Sequence, residues 1–145
     1  DIQIMSIRES ITAHIVSQVG AITDVKSVTR EPKVINELAA TSFPHVMIET
    51  ANETREDFSF GNEKRRKATM DVLINVVVYS NNRDQNRNSI IEKIEEKLAL
   101  DTTLGGNALN SETSEIVIRE VGETAPYGQA AIVYTVEYYY TRGNV

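Results

Sequence analysis

Between residues 68 and 80 the chain alternates. Met70, Val72, Ile74, Val76 and Val78 are apolar, and between them stand Asp71, Leu73, Asn75, Val77 and Tyr79. A period of two places the first set on one face of a strand and the second set on the other. The first face has no polar member and must be buried. The second is mixed and needs only partial cover, from a partner or a second layer. One strand of this kind obliges the rest of the chain to supply strand neighbours for its edges and a layer for its apolar face.

Two segments have the pattern of that layer. Ile4, Ile7, Ile11, Ile15 and Val19 recur every three or four residues, and Gly20 stops the series. Residues 84–100 repeat it with Ile90, Ile91, Ile94 and Leu98, and Ser89 with Glu92 offers a capping box and hence a later helix start. Strand neighbours are expected at 24–30, ended by Pro32, and from Phe43-Pro44 through Thr50. In that second strand Val46 and Ile48 share one side, with His45, Met47 and Glu49 on the other. Residues 33–41 read equally as a helical turn or an extended loop. Further strands are expected at 114–121, with Ile116 and Ile118 on one face, and at about 129–141. The last has Ile132, Tyr134, Val136, Tyr138 and Tyr140 on one face and Val133, Thr135, Glu137 and Tyr139 on the other. The order is α-β-β-β-α-β-β. Grouped rather than alternating elements predict an α+β fold, a mostly antiparallel sheet with both helices on one face. At 145 residues, one domain spanning 1–145 accounts for the whole chain.

Chemistry is sparsely signalled. The chain has no cysteine and two histidines, His14 and His45, and no grouping of His, Asp and Glu at metal-ligand spacing. Gly105-Gly106 lacks the lysine of a phosphate loop and reads as a turn. No catalytic, cofactor or metal residue is expected, and no cofactor. The longest apolar run, near Val76-Val77-Val78-Tyr79, is far short of the roughly 18 residues a membrane helix needs. A net charge of −6 lacks the basic footprint of a general nucleic-acid binder.

The segment from about 51 to 67 stands apart. Arg55, Lys64, Arg65, Arg66 and Lys67 face Glu53, Glu56, Asp57 and Glu63, with Gly61-Asn62 as a turn signal between them. This predicts a long charged β-hairpin arm. Phe58 and Phe60 lie two apart within it and share a strand face, which needs cover from an adjacent subunit or from the arm's own domain. Tyr138 and Tyr140 suit an interface equally with an ordinary strand. Candidate interface residues are therefore Arg55, Phe58, Phe60, Lys64, Arg65, Arg66, Lys67, Tyr138 and Tyr140.

The layout has a known counterpart. Ile22-Thr23-Asp24-Val25 leads into Arg30-Glu31-Pro32-Lys33, then Phe43-Pro44-His45-Val46, a charged hairpin and Val76-Val77-Val78-Tyr79. A polar-led helix closes on Leu98-Ala99-Leu100-Asp101-Thr102-Thr103-Leu104-Gly105-Gly106, and the chain ends with Tyr138-Tyr139-Tyr140-Thr141-Arg142. In order and spacing, over nearly the whole chain, this resembles the tail terminator (tail completion) proteins of long-tailed bacteriophages. Thr102 stands where proline is common in them. The resemblance implies a structural protein of the virion, located at the tail–neck junction and assembled in the host cytoplasm. It implies a homohexameric ring that caps the tail tube protein, ends its polymerisation and docks the neck or head–tail connector. A sheath protein would be a further partner in a contractile tail. Six copies would carry a formal charge of about −36, so DNA would pass the lumen without specific binding and no membrane is involved. A neck or head-completion connector ring is the alternative. A small α+β enzyme or ligand-binding domain, with a pocket between helices and sheet, is a more distant one.

Overall fold

The computed structural model describes residues 6–30, 40–57, 65–120 and 127–141. Helix α1 (Ile7–Gly20) is followed by β1 (Ser27–Thr29), a short 3-10 turn (Ala40–Ser42), β2 (His45–Asp57), β3 (Arg65–Tyr79), helix α2 (Arg83–Ala99), β4 (Asn110–Glu120) and β5 (Tyr127–Thr141). The order is the predicted α-β-β-β-α-β-β. The strands form one sheet in the order β1-β2-β3-β5-β4. The β1–β2 pair is parallel and the other three pairs are antiparallel.

The alternation of β3 decides which face is covered. Met70, Val72, Ile74, Val76 and Val78 are buried together with Ile132, Tyr134, Val136, Tyr138 and Tyr140 of β5 and Val46 and Ile48 of β2. Ile11, Ile15 and Val19 of α1 and Ile90, Ile91, Ile94 and Leu98 of α2 close the same cluster. Both helices therefore lie on one face of a single-domain α+β fold. Each fully buried side chain of this type contributes about 1.5–3 kcal/mol relative to exposure. The opposite face carries no helix among the described residues. Phe43, Met47 and Val77 form a small second cluster there with Tyr127 against it, and the rings of Phe43, Tyr79 and Tyr127 contact one another with centroids 5.0–5.9 Å apart, Phe43 stacked on Tyr79 and the Tyr127 ring tilted to both.

Local chemistry sets the ends. Ser6 caps α1 by accepting from the Glu9 amide at 3.1 Å. Gly20 is the last residue of α1 and Ala21 its cap. Ile4 lies outside the described residues, as does most of the ambiguous 33–41 stretch, whose described part is the 3-10 turn. The later start at Ser89 is corrected: α2 begins at Arg83, after Asn82. Residues 83–88 hold no apolar residue, yet Arg87 is buried and binds Asp84 at 2.9 Å, so the first turns pack through a charged side chain. Strand β4 begins four residues before the expected 114, and β5 at Tyr127 rather than 129.

The turn after α2 is built on backbone that favours glycine. Leu104, Gly105 and Gly106 have φ of 50°, 72° and 89°. Leu104 is fully buried. The roughly 1–2 kcal/mol cost of a left-handed leucine is offset by about 1.5–3 kcal/mol of burial. A side chain at Gly105 would stand 3.1 Å from the His14 ring.

Candidate assembly interface

The β2–β3 pairing shifts between Thr50 and Glu53. An extra residue in one strand bends it and changes which side chains face inward. Before the bulge Val46, Ile48 and Thr50 face the helices; after it Glu53 and Arg55 do, opposite Met70 and Ala68. Thr12 on α1 donates to the Arg8 carbonyl (3.1 Å), so the Thr50 hydroxyl donates to Thr12 across a 2.9 Å contact.

One turn further along α1, the carboxylate of Glu53 gathers three donors. The Tyr138 hydroxyl donates to Oε1 at 2.7 Å, and Arg55 Nε and Arg8 Nη1 donate to Oε2 at 2.5 and 3.4 Å. The Arg55 guanidinium lies 4.5 Å from the centroid of the Tyr140 ring, whose partner ring Tyr138 is 6.1 Å away. Burial, reinforced by donation to Glu53, pushes the Tyr138 phenol up to about 12. The bond to Glu53 raises Arg55 above its ordinary value. The Tyr140 hydroxyl is buried without a hydrogen-bond partner.

The outward face of the same hairpin is charged. Lys67 pairs with Glu137 at 3.0 Å, which raises the lysine above its ordinary value, and the Arg65 guanidinium lies 4.6 Å from the Tyr139 centroid. Strand β5 runs beside β3 as far as the Arg65–Thr141 pair, so the described base of the arm is three strands wide. Of the candidate interface residues, Arg55, Arg65, Arg66 and Lys67 sit on this base. Phe58, Phe60 and Lys64 lie outside the described residues. Tyr138 and Tyr140 are 1% and 4% exposed and pack inside the domain's own core rather than on its surface.

The fold is similar to that of a virion protein. A chain from the virion of a native gene transfer agent particle matches with a TM-score of 0.50 at 11% identity, over 94% of this chain and 100% of that one. At that identity the likeness is one of fold. No family model and no curated protein matches the chain.

The two histidines tie elements together. Ser27 Oγ donates to the Ser42 carbonyl at 2.7 Å and also contacts His45 Nδ1, and Thr29 Oγ1 contacts Nε2 at 3.2 Å. The serine's proton is therefore spent on a carbonyl, and the buried imidazole Nδ1–H donates to the hydroxyl. This is the reverse of what a nucleophile and its base require. His14 Nε2 lies 3.2 Å from Asp101, which also accepts from the Gly105 amide (2.9 Å) and Thr103 (3.1 Å). These bonds, the Gly105 amide foremost, hold the Asp101 carboxyl below its ordinary value. Among the described residues no group of three His, Asp or Glu side chains is placed to hold a metal, and no helix is long and apolar enough to cross a membrane. A concavity of about 290 Å³ lies on the helix-free face, lined by Met47, Glu49, Leu73, Asn75, Gln129 and two arginines, Arg30 and Arg119. Among the described residues, the helices meet the sheet through the apolar cluster.

Proposed function

We propose that this chain is a structural protein of a phage-like virion, a tail terminator that assembles as a homohexameric ring. In that role it caps the tail tube, ends its polymerisation and offers a docking surface to the neck or head connector. The reading is carried by the likeness of fold, across nearly the whole chain, to a component of a gene transfer agent virion. The shape of the domain supports it. One sheet face is covered by helices; the other carries no helix among the described residues and, with the charged hairpin, would be offered to partners. Arg55, Arg65, Arg66 and Lys67 are the described residues by which that hairpin would meet a neighbour, and Phe58, Phe60 and Lys64 are the further candidates given by the sequence.

Native mass spectrometry at two concentrations, with and without tail tube protein, tests the reading. A discrete hexamer, or a monomer that becomes one on adding tube protein, is the expected result. A larger closed ring reassigns the chain to the neck connector. A monomer indifferent to tail components overturns the structural role. Replacing residues 58–64 by a tight turn should leave the domain folded and weaken assembly; complete, tube-capping rings from that variant would exclude the arm from the interface.

A further inference from the structure

We propose that the outer edge of β4 pairs with the same edge of a second copy of this chain, antiparallel and centred on Val117, so that the two sheets become one. Strand β4 is last in the sheet order, is 11 residues long and pairs only with β5 among the described residues. An open edge offers unpaired backbone groups to another strand, and proteins normally guard it with lysine, proline or an inward-pointing charge. Residues 114–119, Ser-Glu-Ile-Val-Ile-Arg, hold neither lysine nor proline. Ile116 and Ile118 pair with Ile132 and Ala130, both fully buried on the helix-covered face, yet are themselves 40% and 47% exposed. The helical layer stops short of them and leaves an apolar ledge along the open edge, which suits strand addition.

The order of residues selects the occupant. In an antiparallel pair of two such strands centred on Val117, position 117 meets 117, 116 meets 118 and 115 meets 119. Each isoleucine then lies opposite an isoleucine of the other copy, and Glu115 lies opposite Arg119 twice over. Glu115 and Arg119 are both exposed, and neither makes an ion pair among the described residues. Directly opposite residues share a sheet face, so the four isoleucines join on the helix-covered side and both charge pairs fall on the other. Any other centre loses both Glu115–Arg119 pairs and opposes at most one pair of isoleucines. Positions 114 and 120, a serine and a glutamate, come next and set no like charges opposite each other. The edge thus complements itself, which is what a two-fold contact requires, whereas a ring joins two different patches. The contact therefore stands apart from the ring reading and doubles the mass of whatever species carries it.

Charge reversal tests the register. With so few matched positions the contact belongs to the small, concentration-dependent class, so sedimentation equilibrium up to about 1 mM, without tail tube protein, should show the low-concentration mass doubling with a Kd on the order of 0.1 mM. Glu115→Arg alone and Arg119→Glu alone each set like charges opposite at two places and should raise that Kd roughly tenfold. The double variant restores both pairs in reverse and should return to within about threefold of the wild type. Circular dichroism checks that each variant folds. Cross-linking gives an independent readout, since the chain has no cysteine. Val117→Cys meets its own copy and should form a disulfide dimer with oxidised glutathione, whereas Glu115→Cys stands about 13 Å along the strand from its copy and should not. A mass that stays constant to the highest concentration, a double variant no tighter than the singles, or cross-linking at 115 rather than 117 overturns the proposal. A chain that pairs as described but forms no ring with tube protein supports this contact and overturns the ring reading alone.

Discussion

Replacing Tyr138 by Phe removes one oxygen from the buried side of the hairpin base and leaves the ring in place. The lost bond, 2.7 Å to Glu53, runs to a carboxylate. Hydrogen bonds to charged groups contribute about 1.5–3 kcal/mol. Glu53 keeps Arg55 and Arg8 as donors, so the lower half of that range applies, a loss of about 1.5–2 kcal/mol and roughly 5–7 °C in Tm for a chain of this size. The same change has a pH signature. An unfolded tyrosine titrates near 10, and Tyr138 in the native state at about 12. Because the native state holds the proton longer, this contribution is complete below pH 10 and is lost as pH rises through about 12. Its upper size is about 2.7 kcal/mol. Urea unfolding of dilute protein between pH 7 and 12 should show the wild type and the phenylalanine variant converging on the alkaline side. The Tyr134 phenol is also raised by burial, so the wild type and the variant share its slope and only their difference is diagnostic. A variant within 0.5 kcal/mol of the wild type at pH 7, with a parallel alkaline limb, would refute the role given to this bond (a threshold set by ordinary surface changes).

Ile94→Ala should cost about 2–5 kcal/mol in urea unfolding, since the side chain is fully buried between α2 and the sheet. Gly128→Ala should cost about 1–3 kcal/mol, because an added Cβ would stand 3.0 Å from Val78 Cγ2 and 3.3 Å from the Arg83 carbonyl oxygen, where β5 passes the start of α2. Asp101→Asn should flatten the acid limb of stability: the native carboxyl lies below its ordinary 3.8, so its contribution is present above that value and is lost as pH falls through the lower one. Glu53→Gln should broaden the distribution of ring sizes in native mass spectrometry, because it loosens the hairpin base without touching the exposed arm; a single unchanged ring size would exclude that role.

The readable part of the fold is the part in which one periodicity holds from end to end. In β3 and β5 the pleat runs unbroken through Met70–Val78 and Ile132–Tyr140, so sequence parity predicts the buried face correctly. The isoleucine stripes of α1 and α2 do the same at helical spacing. Legibility fails where the period breaks. The bulge between Thr50 and Glu53 shifts the parity of β2, and so turns an acidic residue toward the core. Nothing in the sequence distinguishes Glu53 from Glu56. The start of β4 is Asn110-Ser111-Glu112-Thr113, with no apolar residue to alternate. It is held by the Leu109 amide on the Glu137 carbonyl and by the Tyr134 hydroxyl on Ser111, which itself donates to the Thr102 carbonyl. The capping box read at Ser89 and Glu92 falls inside α2, whereas the cap found at a helix start is Ser6 on the Glu9 amide. Tyr138 and Tyr140 look like surface aromatics only if the sheet is taken to end before them; β3 accompanies them to Arg66, and the core continues under both.

That continuation explains how a charged arm can be attached to an apolar domain without becoming a loose tether. Three donors from three elements (Arg8 of α1, Arg55 of β2, Tyr138 of β5) meet on the Glu53 carboxylate at the point where the helical layer ends. Each donor removed leaves the largely buried Glu53 carboxylate less well satisfied, so the members of the cluster reinforce one another. Its geometry fixes the direction of β2 and β3 at the described base of the hairpin. In a head-to-tail ring the angle between neighbours sets the number of copies. A contact made by a hairpin aimed from a rigid base can hold that angle, whereas the same charged residues on a flexible loop would supply attraction without closure.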